Sequence, residues 1–284
     1  MSWSELKNKI SNLADACDNN KRIIQLWSEI STYVNNHQIP YHLDPFVKIT
    51  EDYRQDKSQD EIWILDHGCG GGTTLLYLLV LGYKNVYGVD VRNKPIRWNR
   101  IFKEIFNIDE EHFICYNGQN LPFENNTFDI IFSEQVLEHI DDNSIINYYS
   151  EEGRILKSNG IAYHEVPHRL VPYDSHTKTW FIHYLPYSSY LWVHKKIGSN
   201  IDFITNNLFL RWPKFHREKL SQYIGEYTDV TKERLLQLQK IEYYDGPKNL
   251  RLIISKLVKI PLIGDIFILL IKNFVMLRTV TIKK

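Results

Sequence analysis

Residues 61–79, EIWILDHGCGGGTTLLYLL, limit the folds open to this chain more than any other stretch. An apolar, β-favouring run, Ile62-Trp63-Ile64-Leu65, ends in an acid, Asp66. Four glycines follow within five positions (Gly68, Gly70, Gly71, Gly72), and Leu75, Leu76, Leu78 and Leu79 resume at helical spacing. Strand, side-chain-poor turn and helix, in that order, open a parallel α/β sheet whose ligands bind beyond the carboxyl ends of the strands. The alternation continues. Residues 85–90 (NVYGVD) read as a strand and 95–106 as a helix with Pro95 in its first turn. Residues 112–117, 128–134 and 159–166 read as strands, with a helix around 144–156 before the last. This spacing predicts an open, mostly parallel sheet with helices on both faces.

The flanks differ in character. Over residues 1–60, Leu6, Ile10 and Leu13, then Ile23, Leu26, Trp27 and Ile30, recur at helical steps, and 36–60, with Pro40 and Pro45, read as a connection. The expected division is a helical cover (1–60), a ligand-binding core (61–166), a His- and aromatic-rich insertion (167–213) and a C-terminal part (214–284). Residues 214–240 read as mostly helical. Lys+Arg and Asp+Glu are both 34, so no global field attracts nucleic acid, and no nucleic-acid partner is expected. Three unevenly spaced cysteines, Cys17, Cys69 and Cys115, suggest a reducing compartment. The start, MSWSELKNKI, has no signal-peptide core, and no run of about 18 apolar residues occurs. A cytoplasmic location is expected.

The glycine turn does not fit a phosphate. Gly68-x-Gly70-x-Gly72 has Thr where the dinucleotide fingerprint needs its last Gly, and no Lys follows as in a P-loop. An acid, Asp66, enters the turn, where a cation is welcome. A second acid, Asp90, ends the next strand, where a carboxylate can take two ribose hydroxyls. The inferred ligand is a nucleoside without phosphate and with positive charge. S-adenosylmethionine fits.

ILDHGCGGG resembles the first motif of class I S-adenosylmethionine-dependent methyltransferases, and VYGVD resembles the second. NLPFENNTFDIIFSEQVLEHI (120–140) and EEGRILKSNGIAYHEVP (151–167) are similar to later stretches of the small-molecule branch of that family. The resemblance implies a doubly wound, mostly parallel, seven-stranded Rossmann-like sheet with an N-terminal helical cover and C-terminal additions. It implies that Asp66, Gly68, Gly70 and Gly72 line the methionine end of the cofactor. Asp90 would hold the ribose beside Val91, and Asn117, Gly118 and Gln119 would flank the adenine. Ser133 and Glu134 would face the methyl group. Asn117-Gly118 stands where the family often has an acid. Bland roles remain open: Asp90 as a helix cap, Ser133 and Glu134 as caps, Cys69 as a small buried residue and His139 as a structural one.

The acceptor is less legible. Methyl transfer to a hydroxyl is helped by a general base, commonly His near neutral pH. Residues 164–196 hold His164, His168, His176, His183 and His194, with Glu165 and Asp174. The candidates rank His176, His183, then Asp174 and His168. His164 and His168 are four apart but straddle Pro167, so no metal is expected. The segment resembles methyltransferases of bacterial surface-glycan clusters. The first reading is therefore O-methylation of a sugar hydroxyl on a small-molecule or lipid-linked glycan acceptor. The alternatives are N- or C-methylation of a quinone- or lipid-like molecule, and a non-catalytic binding protein on the same fold. Residues 248–284 carry eight basic residues against one acid, Asp265, among apolar runs. That pattern suits peripheral contact with the inner face of a membrane. It also suits packing, with 274–282 as a last antiparallel strand at the sheet edge. Both are expected, with 253–271 as a partly exposed apolar hairpin.

Overall fold

The computed structural model describes residues 3–15, 19–36, 39, 42–93, 99, 102–103, 107, 111–237 and 248–284. Nine strands are found among them: β1 (Ile64–His67), β2 (Val86–Asp90), β3 (Phe113–Cys115), β4 (Phe128–Glu134), β5 (Leu156–Val166), β6 (Tyr173–Asp174), β7 (Thr179–Trp180), β8 (Gly225–Asp229) and β9 (Leu277–Lys283). Seven form one sheet in the order β3-β2-β1-β4-β5-β9-β8, and β6-β7 is a separate hairpin. β1 pairs in parallel with both β2 and β4, and β2 with β3. β8 and β9 run antiparallel. The expected mostly parallel, seven-stranded, Rossmann-like sheet is therefore present. The strand order reverses at β1/β4, which is where open α/β sheets hold ligands.

Packing divides the chain into two units, Met1–Ser133 with Ile155–Ile161, and Glu134–Arg154 with Ala162–Lys284. In the first unit, β1 and β2 are buried throughout, as strands covered on both faces require. Trp63, Tyr87, His112 and Phe102 stack in a ladder with ring separations of 5.5, 4.4 and 4.9 Å. The helices Trp3–Asp15 and Asn20–Asn35 bury Leu6, Ile10, Leu13, Ile23, Leu26 and Ile30, and half-bury Trp27, the residues that carried their periodicity. The connection read over 36–60 is corrected: Asp44–Arg54 is a helix. Pro45 sits in its first turn, where the missing N–H costs no hydrogen bond, so it starts the helix rather than breaking it. Asp129 ties this unit together. Its carboxylate accepts from Tyr53 Oη (3.1 Å), the Trp63 N–H (3.0 Å) and Lys157 Nζ (2.7 Å). The helix read over 95–106 lies largely outside the described residues, as does Cys17.

In the second unit, helix Ile145–Ile155 packs closely on the end of helix Pro213–Tyr223. A Cβ at Gly153 would lie 2.0 Å from the Tyr223 carbonyl oxygen. The mostly helical reading of 214–240 holds over Pro213–Tyr223 and Thr231–Leu236, and between them lies β8, whose pairing with β9 makes a strand of a polar segment. β8 is also the edge strand, so β9 lies inside it. Helices Lys248–Leu257 and Ile263–Ile271 precede β9.

Candidate cofactor cradle and acceptor cluster

The turn after β1 belongs to the first unit. Gly68, Gly70 and Gly72 have φ of 89°, 52° and 74°, the left-handed region that a Cβ disfavours. A Cβ placed on Gly70 or Gly71 would meet nothing within 4 Å, so the turn faces open space. Gly72 starts the helix Thr73–Val80 without a side-chain cap. Cys69 is buried, and a Cβ on Gly88 would lie 2.9 Å from its sulfur. Burial, with the charges of Asp66 and Asp90, pushes its thiol well above the ordinary cysteine value, as suits an inert packing residue.

Two buried carboxylates flank this space. Asp90 Oδ2 accepts the Gly70 N–H at 2.9 Å, and Oδ1 accepts the Arg92 N–H at 2.9 Å. Oδ1 also accepts the Arg92 Nε–H at 3.3 Å, so Oδ2 is the oxygen that retains a further lone pair for a ligand hydroxyl. Asp66 is pushed up to about 7, first by burial and then by the negative charge of Asp90. Such a site favours a cation. An amino group and a sulfonium therefore fit the cradle, and a phosphate does not.

Along the same edge, Val91 is exposed, and a Cβ on Gly118 (φ 76°) would crowd its Cγ1 at 3.3 Å. Asn117 is exposed, but its Oδ1 accepts the N–H groups of Gln119 (2.9 Å) and Asn120 (3.2 Å). Only its amide NH₂ is left to reach outward. Ser133 is buried near the end of β4, and Glu134, half-buried, ends it.

The His-rich residues lie in the second unit. Asp174, on the β6–β7 hairpin, accepts from His176 through the backbone N–H (3.0 Å) and through Nδ1 (3.2 Å), and from Thr177 Oγ1 (2.6 Å). Asp174 thus orients the His176 imidazole. Burial opposes a charge on His176, but the Asp174 hydrogen bond and the Glu138 and Asp174 charges outweigh it and raise its pKa. Glu138 is pushed up to about 8, chiefly by burial, with Asp174 and Glu165 adding to the rise. His183 lines a cavity of about 200 Å³ together with Asp142, Arg169, Tyr187, Tyr190 and Arg211. Burial holds its pKa below the ordinary value. His168 is buried, with Nε2 on the Val275 carbonyl (2.9 Å) and Nδ1 accepting the Leu170 N–H (3.2 Å). Both nitrogens are thereby engaged by backbone, which fits a structural role better than a catalytic one. His164 pairs with buried Glu152 at 2.8 Å.

Sequence reasoning missed Glu138. It sits in the short 3₁₀ turn Leu137–His139, and its carboxylate meets His176 from a distant part of the chain. An acid beside a histidine in LEH was the available signal, but its partner is set by the fold.

A family model described as a methyltransferase domain matches residues 65–164. With the sheet order and the cradle, this makes residues 65–164 a class I S-adenosylmethionine-dependent methyltransferase domain. The chain is 30% identical over 115 residues to an uncharacterized protein of Methanocaldococcus jannaschii, covering 40% of this chain and 45% of that one. It is 24% identical over 247 residues to a tRNA U34 carboxymethyltransferase of Aeromonas hydrophila (78% and 73% covered). It is 26% identical over 129 residues to a ubiquinone biosynthesis O-methyltransferase of Pelagibacter ubique (45% and 52% covered). The chain thus spans about half the length of two of these relatives. Among solved structures, a geranyl diphosphate C-methyltransferase from Streptomyces coelicolor aligns over 85% of this chain and 78% of its own, at 14% identity and a TM-score of 0.47.

Proposed function

We propose that the chain is an S-adenosylmethionine-dependent methyltransferase that O-methylates a hydroxyl of a sugar or glycan. The observation that carries the cofactor part is the pair of buried carboxylates, Asp66 and Asp90, around an open glycine turn. When bound, the cofactor supplies a methyl group activated by its sulfonium. Asp90 would take the ribose hydroxyls, Asp66 would face the positive end, and Gly68, Gly70 and Gly72 would keep side chains out of the way. Val91 would pack beside the ribose, Asn117, Gly118 and Gln119 would border the adenine, and Ser133 and Glu134 the methyl group.

The hydroxyl acceptor rests on the second unit. The cavity near His183 joins aromatic faces to charged groups, a lining that suits a polyhydroxylated ring. The Asp174–His176 pair, with Glu138 beside it, supplies a place for the hydroxyl proton. A relative named as an O-methyltransferase supports oxygen as the atom methylated.

Calorimetry tests the cofactor part. The wild type should bind S-adenosylmethionine, and Asp90→Ala should weaken binding by about 1.5–3 kcal/mol, the range for hydrogen bonds to a charged group. No binding by the wild type would overturn the reading. His176→Ala and His183→Ala should bind the cofactor normally. At least one should lose on the order of 10²–10⁴ in turnover with a hydroxyl acceptor. Normal turnover in both would instead favour a nitrogen or carbon acceptor.

A further inference from the structure

Three side chains of the second unit converge. Glu138, His139 and His176 each offer one ligand atom, and these atoms all lie within 4.8 Å of one another. Glu138 Oε1 is 3.7 Å from His176 Nε2 and 3.9 Å from His139 Nε2. Each imidazole is turned the same way round. His139 Nδ1 lies 2.6 Å from the Asn207 carbonyl oxygen, which can only accept, so Nδ1 carries the hydrogen. His176 Nδ1 likewise faces Asp174 Oδ1 at 3.2 Å. In the neutral rings both Nε2 atoms therefore present lone pairs toward Glu138.

Glu138 is 1% exposed, and neither of its carboxylate oxygens has a hydrogen-bond partner among the described residues. Leaving a buried carboxyl group without a hydrogen-bond partner is costly. Here it faces two further electron-pair donors, so a cation resolves the whole arrangement at once.

The surroundings hold this geometry. Phe203 packs on both imidazoles, with centroids 6.2 Å away in each case. The Phe209 N–H donates to the Glu138 carbonyl (2.7 Å), and Arg211 donates to the carbonyls of Leu137 (3.0 Å) and Ile140 (2.6 Å). The turn that carries two of the three ligands is thus clamped from residues 207–211. A carbonyl on one imidazole and a carboxylate on the other are the outer partners that metal-ligating histidines commonly have.

We propose that Glu138 Oε1, His139 Nε2 and His176 Nε2 form a binding site for a divalent transition-metal ion. Metal–ligand distances of about 2.0–2.2 Å put ligand atoms roughly 3–3.4 Å apart, so closure needs only small side-chain shifts from the present spacing. Two imidazoles and one carboxylate suit zinc or ferrous iron, and three protein ligands leave positions open. This is not the His164/His168 pair, whose partners lie elsewhere.

The site stands apart from the methyltransferase reading; only its use in the reaction rests on that reading. A hydroxyl oxygen coordinated to a dication loses its proton more readily. The O–H proton then passes to solvent. His176 Nε2 cannot both bind a metal and accept that proton, so the metal would replace it as the acidifying device.

The test uses the full chain, stripped with a chelator and titrated with Co²⁺ as a visible-absorbing probe and with Zn²⁺. One equivalent per chain should bind, with the d–d bands of a nitrogen–oxygen site. Glu138→Gln and His176→Ala should each weaken binding at least about 100-fold, and Asp174→Asn about 10- to 100-fold. S-adenosylmethionine calorimetry on the same samples reports that the variants are folded. It also separates the two ideas: cofactor binding without metal binding sinks this proposal and spares the methyltransferase reading, and the reverse does the opposite. A wild type that retains no Co²⁺ after gel filtration, or a Glu138→Gln chain that binds as tightly as wild type, overturns the site. Either result leaves a shared proton between Glu138 and His176 as the occupant.

Discussion

Asp66 couples the cradle to pH. Its carboxyl titrates at about 7 in the folded chain against an ordinary 3.8, because burial and Asp90 both disfavour its charge. Between those values the folded chain holds a proton that the unfolded chain has released. This group's contribution to stability is therefore full below 3.8 and falls as pH rises toward 7. Asp66→Asn should flatten the fall, so the melting temperature of the variant should gain on wild type between about pH 4 and 7. A bound cation would draw the Asp66 pKa back down, and S-adenosylmethionine binding near pH ~6 should then release a proton. Calorimetry in buffers of different ionisation enthalpy measures it, and equal apparent enthalpies would remove Asp66 from contact with the positive end. Residues of this kind are legible in sequence because their neighbours are local: Asp66 and Gly70 share one turn, and Asp90 ends the next strand. Glu138 and His176 share nothing local, and no spacing rule joins them before the chain is folded.

At the scale of elements, Glu165 near the end of β5 binds Arg278 of β9 and Arg234 of helix Thr231–Leu236. All three side chains are buried. Glu165→Ala would strand two guanidinium groups without their counter-charge, at a cost of about 3–5 kcal/mol. Urea unfolding should show the midpoint falling with the slope unchanged, and an unmoved midpoint would show that solvent or other groups compensate. Arg278, one of the basic residues of the C-terminal segment, is therefore a structural ion rather than a surface charge. The strands legible in sequence are those buried on both faces, such as β1 and β2, because such strands read as continuous apolar runs. β8 is not legible: GEYTD alternates between partly and fully exposed positions, and only its pairing with β9 makes it a strand. The helix Asp44–Arg54 was hidden by Pro45, whose effect depends on its position in the helix and not on its presence.

For the whole molecule, the C-terminal segment is the part that bears on membrane contact. No helix among the described residues is long and apolar enough to cross a membrane. Helices Lys248–Leu257 and Ile263–Ile271 nevertheless leave Leu252, Ile253, Ile266, Leu269 and Leu270 at least half exposed, and Leu262 between them 79% exposed. Lys256 and Lys259 are exposed nearby. We propose that this surface rests on an anionic membrane. Full-length protein should sediment with vesicles containing anionic lipid at low salt, and less at high salt as the attraction is screened. Leu269→Asp with Leu270→Asp should abolish sedimentation, and sedimentation that survives the pair would place the contact elsewhere. The division of the chain carries another consequence. The first unit ends at Ser133 and is completed only by Ile155–Ile161. That return supplies Lys157 to Asp129 and the Ile155 carbonyl to the Thr127 N–H. A ribosome builds the chain from the N-terminus, so the first unit stays unfinished until residue 161 has left the exit tunnel. By then helix Ile145–Ile155 of the second unit has already been made. A nascent chain arrested with residue 140 just emerged should therefore be cut readily by protease within its first 133 residues, and one arrested with residue 165 emerged should resist.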